Sequence, residues 1–393
     1  MKKKSFRLIV ILILLISCNE EKIAHPIEGE WVEVLNPKPK AKSKYSFVSE
    51  DANEYYRKLS FYSDSTMERV GGFYKRIGGH YPAAYLGKKT PFKFIKNKLS
   101  YFDLSESKWV TERIVKLDSK FLIIESEKFT KTRYKRLGKI RNPNPKFQKI
   151  IFSQDGCYGQ CPMMDIIINS DGNITFYGEV GTHIRGLYTA KISKSEYLEI
   201  LNSFKYVDIK TVNDYYSVNH TDDLTYDTTI IVNNKIYKSI HDYGIIGPSE
   251  LLWALFVIRD LYQNLNLKER SLSEFPVYLN LKDFSFKKGN TRYRLTRSES
   301  FYLWDCLRKG KISNKSFKSL YQLEFYKQSF WRNSIGNVDG WVTEKDLKKI
   351  IKIETNGRFY KFYFTDKEPI TMDIGFNFLQ DLPLDKKFEK DWR

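Results

Sequence analysis

Lys149-Ile150-Ile151-Phe152-Ser153 leads into Asp155-Gly156-Cys157-Tyr158-Gly159-Gln160-Cys161-Pro162, and an apolar run at 163–169 then turns at Ser170-Asp171-Gly172-Asn173 into 174–178. Short β-branched runs joined by Gly-rich turns read as antiparallel strands, with Asp-Gly supplying the positive backbone angle a hairpin needs. Residues 187–192 continue the sheet. Ser193, with Glu196 three residues on, opens a helix with an apolar stripe at Leu198, Leu201 and Phe204. A second hairpin, 226–232 with 235–241, turns at Asn233-Asn234. Pro248 starts a last helix with Leu251, Leu252, Leu255, Ile258, Leu261 and Tyr262 at helical spacing. Residues 146–264 therefore read as a sheet packed by two helices.

Two stretches bound this unit: Gly138-Lys139-Ile140-Arg141-Asn142-Pro143-Asn144-Pro145, and Asn264-Leu265-Asn266-Leu267-Lys268-Glu269-Arg270-Ser271. Charge shifts at the same places. Residues 19–144 carry 26 basic and 16 acidic side chains, net +10; residues 145–265 carry 10 and 14, net −4; residues 266–393 carry 26 and 17, net +9. Upstream, strand-like runs at 29–34, 57–62, 67–76, 91–95, 99–104, 109–117, 121–125 and 130–137 are separated by short polar turns. Eight such runs without helices suit an antiparallel barrel, which removes sheet edges by closure. Downstream, over 275–393, residues 298–307 read as a helix holding Cys306 in its core. Residues 343–347 start a short element, and 350–355 with 358–364 form a hairpin around Asn356-Gly357. The chain is thus multi-domain and β-rich: a barrel followed by two small α+β domains.

The N-terminus gives the address. Lys2, Lys3, Lys4 and Arg7 precede an apolar stretch too short for an ordinary spanning helix. Its end, Leu15-Ile16-Ser17-Cys18, resembles the lipobox of bacterial lipoproteins. The resemblance implies cleavage after residue 17, acylation of Cys18, and a tether over 18–26. It also implies a cell-envelope protein held to the membrane through its N-terminal lipid. Asn19, in place of the Asp that retains lipoproteins in the inner membrane, points to the outer membrane. Glu20-Glu21 resembles a short acidic signal for surface display. The full chain carries 66 Lys+Arg against 47 Asp+Glu, net +19. An exported protein meets no genome, so no nucleic-acid partner is expected. Anionic envelope components are the expected partners of this charge.

Ile27-Glu28-Gly29-Glu30-Trp31 resembles the Gly-x-Trp opening of lipocalin-like domains, extending the resemblance over 27–137. It implies a barrel able to hold one small apolar ligand, with Arg133 or Arg136 covering Trp31. The aromatic content favours a filled barrel, with Trp31 as a structural plug. Cys-Tyr-Gly-Gln-Cys-Pro, the Asp-Gly hairpin and Thr221-Asp222-Asp223 resemble an uncharacterised bacterial family, domain of unknown function 6438, over about 147–264. That resemblance implies an exported domain and assigns no catalytic residue.

Three readings of Cys157 and Cys161 stay open: a structural disulfide, favoured because Gly156 and Gly159 let the loop close; a redox pair; or a metal site drawing on His183, His220 or His241. His220-Thr221-Asp222-Asp223, with Asp227 nearby, reads as a polar loop or as an acid–base cluster, and His241 sits at a strand end. Lys348, Lys349, Lys352, Arg358 and Lys361, and Arg308-Lys309-Gly310-Lys311, read as solvated faces or an anion surface. No phosphate loop, nucleophile elbow or His-Glu-x-x-His motif is present. The expectation is a lipid-anchored envelope protein with a binding or structural role, without catalytic residues, metal or cofactor. A thiol/redox protein using Cys157 and Cys161, or a hydrolase using His220, Asp222 and Asp223, are the alternatives.

Overall fold

The computed structural model describes residues 26–34, 57–76, 82–138, 140–159, 161–270, 284–325, 350–380 and 389–390. The lipobox with Cys18, and the short element at 343–347 with Lys348 and Lys349, lie outside these residues. Eight strands form a closed antiparallel barrel: β1 (Gly29–Glu33), β2 (Lys58–Phe61), β3 (Thr66–Lys75), β4 (Ala84–Ile95), β5 (Lys98–Asp103), β6 (Lys108–Leu117), β7 (Phe121–Glu125) and β8 (Lys131–Arg136). Each follows its neighbour, and β1 closes on β8 through Trp31 opposite Arg136. β4 corrects the reading of 91–95. It begins seven residues earlier, because Gly87 and Pro91 sit inside the strand rather than ending it. Gly87 takes a φ of +102° at a bulge opposite Phe73, and Gly72 a φ of +75°.

Trp31 is fully buried, and its Nε1 donates to the Ile27 carbonyl at 2.8 Å. The Arg136 guanidinium lies over the indole at 4.2 Å and donates to the carbonyls of Glu28 (2.6 Å) and Pro26 (3.0 Å). Arg133 instead lies over Phe121 at 4.0 Å. Trp31 and Arg136 therefore seal one end of the barrel.

The central sheet contains β9 (Lys149–Asp155), β10 (Met163–Asn169), β11 (Asn173–Val180), β12 (Gly186–Lys191), β13 (Tyr215–Ser217), β14 (Thr225–Val232), β15 (Lys235–Tyr243) and β16 (Lys268–Arg270). Their order is β13-β15-β14-β9-β10-β11-β12-β16. Part of the stretch read as the second linker is therefore β16, an edge strand paired with β12. Helix α1 (Lys194–Ser203) carries the expected capping box from Ser193 and Glu196. Its buried stripe is Tyr197, Ile200 and Leu201, continued by Phe204, whereas Leu198 is exposed. The 3-1-3 spacing of that set holds one helical face, which Leu198 leaves. Helix α2 (Ser249–Arg259) follows Pro248 and is buried through Leu251, Leu252, Trp253, Ala254, Leu255 and Ile258.

The third sheet contains β17 (Ser285–Lys288), β18 (Thr291–Arg294), β19 (Lys311–Ile312), β20 (Tyr321–Glu324), β21 (Ile350–Thr355), β22 (Phe359–Phe364), β23 (Ile370–Asp373) and β24 (Glu389–Lys390). Helix α3 (Arg297–Lys309), capped by Thr296 and Glu299, lies between it and the central sheet and is buried without interruption from Arg297 to Asp305. Ile151, Ile167 and Ile231 of the central sheet share one apolar cluster with Phe301, Leu303, Ile353 and Phe362. Ile150, Phe152, Ile166 and Ile230, on the other face, share a cluster with α1 and α2, against which Val32, Val70 and Leu137 of the barrel pack. The central sheet is thus covered on both faces. Among the described residues no helix is long and apolar enough to cross a membrane.

Candidate functional site

Strand alternation sorts the polar residues of the central sheet into two rows. Met164, Gln154, Tyr226 and Asp242 stand in register across β10, β9, β14 and β15, on the α2 and barrel side. Asp165, Ser153, Asp227 and His241 form the next row, facing α3.

Met164, Gln154 and Tyr226 of the first row border a cavity of about 1030 Å³ between the barrel and the central domain. Barrel side chains Met67, Leu99, Tyr101, Ile124 and Tyr134 line one part of it; Gln154, Met164, Tyr226, Arg259 and Asp260 line another, with Cys161 and Pro162 beside them. Against the expectation of a filled barrel, Tyr101 and Tyr134 border open space, and the central domain helps to enclose it. Trp31 itself is not part of the lining. The volume lies at the upper end of the range for small-molecule sites.

Four polar groups of the lining, Arg259, Asp260, Tyr74 and Tyr226, pair with one another. Arg259 Nε donates to Asp260 Oδ2 at 2.8 Å, Nη1 reaches the Tyr226 hydroxyl at 3.5 Å, and Nη2 donates to the Tyr74 hydroxyl. Tyr74 donates in turn to Asp260 Oδ2 at 2.7 Å. Burial opposes the Arg259 charge, but Tyr226, Asp260 and Tyr74 outweigh it and hold the guanidinium well above its ordinary value. Arg57, Lys58 and Arg69 are paired with Glu33, Glu30 and Asp103, and Arg76 is not free either. Burial raises Glu112 above the usual carboxylate range, with Arg69 opposing, and pushes Tyr85 and Tyr101 up to about 12. Gln154 differs from these groups. It is 2% exposed, and its Oε1 has no hydrogen-bond partner among the described residues.

The second row meets α3. Arg297 Nε and Nη2 donate to the two oxygens of Asp165 at 2.8 and 2.7 Å. Its Nη1 reaches Asp155 at 3.0 Å, and Nη2 also reaches Glu179 at 3.2 Å. Burial opposes this charge too, and Asp165 and Asp155 more than offset it. The Arg297 backbone N–H donates to Asp227 Oδ2 at 2.7 Å, while Asp227 Oδ1 lies 2.7 Å from His241 Nδ1. Burial disfavours the His241 imidazolium, yet Asp227 raises its pKa above the ordinary value. Tyr215 stacks on the imidazole at 5.1 Å.

Cys157 and Cys161 stand at disulfide distance, Cα–Cα 5.6 Å. His220 pairs with Asp223 at 3.0 Å on an exposed loop, and the Asp222 carbonyl accepts from the Tyr158 N–H. That loop's His220, Asp222 and Asp223 do not line the cavity, and His241 keeps a different partner. His183 faces the Ala83 carbonyl at 3.2 Å. The three histidines are thus dispersed, and no group of three or more His, Cys, Asp or Glu among the described residues is arranged to hold a metal. Burial pushes the Cys306 thiol up to about 12. Arg308 and Lys309 both pair with Asp305, Lys352 with Glu354, and Arg358 with Asp373.

The reading of isolated motifs missed Gln154, Arg259 and Arg297. Their signal was present: a polar residue inside an apolar strand or helix demands a partner, as Asp165 does within Met163-Met164-Asp165-Ile166. No curated protein and no solved structure matches the chain. A family model described as a domain of unknown function (DUF6438) matches residues 148–262, the unit that carries both polar rows.

Proposed function

We propose that the chain is an exported, lipid-anchored protein of the cell envelope whose lipocalin-like barrel and central domain together bind a small molecule without converting it. The observation that carries this reading is the cavity of about 1030 Å³, which the apolar Met67, Leu99, Ile124, Met164 and Phe256 line together with polar and charged side chains. Leu15-Ile16-Ser17-Cys18 supports the lipid anchor, and the absence of Asp at position 19 supports an outer-membrane address. The Gly29-x-Trp31 opening and the Arg136 cover on Trp31 support the lipocalin-like reading of the barrel. Arg259, Asp260, Tyr74 and Tyr226 of the lining pair with one another rather than presenting a nucleophile beside a base, which favours binding over catalysis. A fluorescence titration with the apolar dye N-phenyl-1-naphthylamine tests the reading. Saturable binding of one dye per chain is expected, and a folded protein that binds none overturns it.

A further inference from the structure

We propose that the barrel part of the cavity is a binding site for an anionic amphiphile, with its oxyanion head between Arg57 and Arg69 and its apolar body against Met67, Leu99 and Ile124. The inference rests on the cavity reading and names the class of ligand. The lining holds five basic side chains, Arg57, Lys58, Arg69, Arg76 and Arg259, against two acidic ones, Glu112 and Asp260. Arg259 and Asp260 neutralise one another at 2.8 Å, and Lys58 is held by Glu30 at 2.9 Å. Arg57 and Arg69 are held more loosely. Arg57 Nε lies 3.5 Å from Glu33 and Arg69 Nη1 3.7 Å from Asp103, both longer than a charge-assisted hydrogen bond, and the two side chains are 58% and 42% exposed. Pairing of β2 with β3 sets Leu59 opposite Arg69, so Arg57 is the diagonal neighbour of Arg69 on the same face, about 7–8 Å away. One head can therefore meet both guanidinium groups, whose planar forks match an oxyanion. Tyr101 and Tyr134 line the same part of the cavity. Burial pushes the Tyr101 hydroxyl up to about 12 and raises Tyr134 as well, so both stay O–H donors at neutral pH. Among the described residues neither hydroxyl has a hydrogen-bond partner. Glu112 opposes an anion, but burial raises it above the usual carboxylate range, which favours a proton on it beside a bound head.

The test compares two dyes with one ring system, N-phenyl-1-naphthylamine and 8-anilinonaphthalene-1-sulfonate, which differ by the anionic group alone. Both are titrated into the full chain by fluorescence at neutral pH. The sulfonate is expected to bind at one saturable site about ten-fold more tightly than the amine, the factor one well-placed charged contact supplies. Arg57→Gln and Arg69→Gln are each expected to reduce that preference, and the double variant to erase it, while affinity for the amine and the circular dichroism spectrum are kept. The retained amine binding shows that the variants fold and that the cavity persists. The amine binding as tightly as the sulfonate to the unaltered protein, or a sulfonate preference that survives the double variant, overturns the anion proposal and leaves the cavity reading standing. Failure of the amine to bind at all overturns the cavity reading, and this proposal with it.

Discussion

Tyr74 on the barrel donates to Asp260 Oδ2 at the end of α2 across 186 residues of sequence, at 2.7 Å. The same carboxylate holds Arg259, so one acidic side chain clasps the barrel and neutralises the buried guanidinium. Tyr74→Phe removes one hydrogen bond and is expected to lower stability by about 1 kcal/mol. Asp260→Asn strips Arg259 of its counter-charge and is expected to lower it by about 3 kcal/mol. Urea unfolding midpoints check both. Equal, negligible losses would contradict the clasp.

Arg297 is the corresponding element on the other face. It is 7% exposed, and Asp165 beneath it 1%. Arg297→Ala leaves Asp165 buried and uncompensated, for an expected loss of about 3–5 kcal/mol. Arg297→Lys is expected to recover little, because an ammonium cannot reproduce the two-pronged fork. Thermal melts of the three proteins decide it, and full recovery with Lys would show that charge alone suffices.

His241 makes the fold pH-sensitive in a defined direction. Its pKa is raised in the folded state by Asp227. A raised folded value means the stabilisation is complete below the unfolded value of about 6.5 and is lost as pH rises through the folded one. Stability is therefore expected to fall across that window, and the fall to vanish in Asp227→Asn. An NMR titration placing His241 below the free-imidazole value would reverse the sign and refute the assignment.

Cys157 and Cys161 are expected to be oxidised in exported protein. If Cys18 is acylated, as proposed, thiol counting in denaturant without reductant should then find only Cys306. Three reactive thiols would contradict the bridge. Because the loop it closes is short, reduction is expected to cost at most a few kcal/mol.

Much of the architecture was legible because alternation and turn residues act locally. The eight barrel strands, the Asp171-Gly172 turn and the Ser193–Glu196 cap each follow from a few adjacent residues. The β4 start was obscured by Gly87 and Pro91, which usually end strands but here sit at and beyond a bulge. β16 was hidden because Lys268, Glu269 and Arg270 are all exposed and carry no burial pattern. The cavity could not be read at all. It needs Tyr101 and Gln154, or Tyr74 and Arg259, brought together from separate domains, and no spacing rule spans such distances. The His220 loop stood out by composition alone, and composition does not say which way a loop faces.

The central claim is that the space between barrel and central sheet is a binding site. Thr132 lines it from β8 and is only partly buried, so Thr132→Trp obstructs part of the space at modest cost to the fold. Titration of N-phenyl-1-naphthylamine into the unaltered protein and the variant tests the claim most directly. The account predicts one saturable site in the former and at least ten-fold weaker binding in the latter, with matching circular dichroism spectra. Equal binding by both proteins would place the dye elsewhere and contradict it.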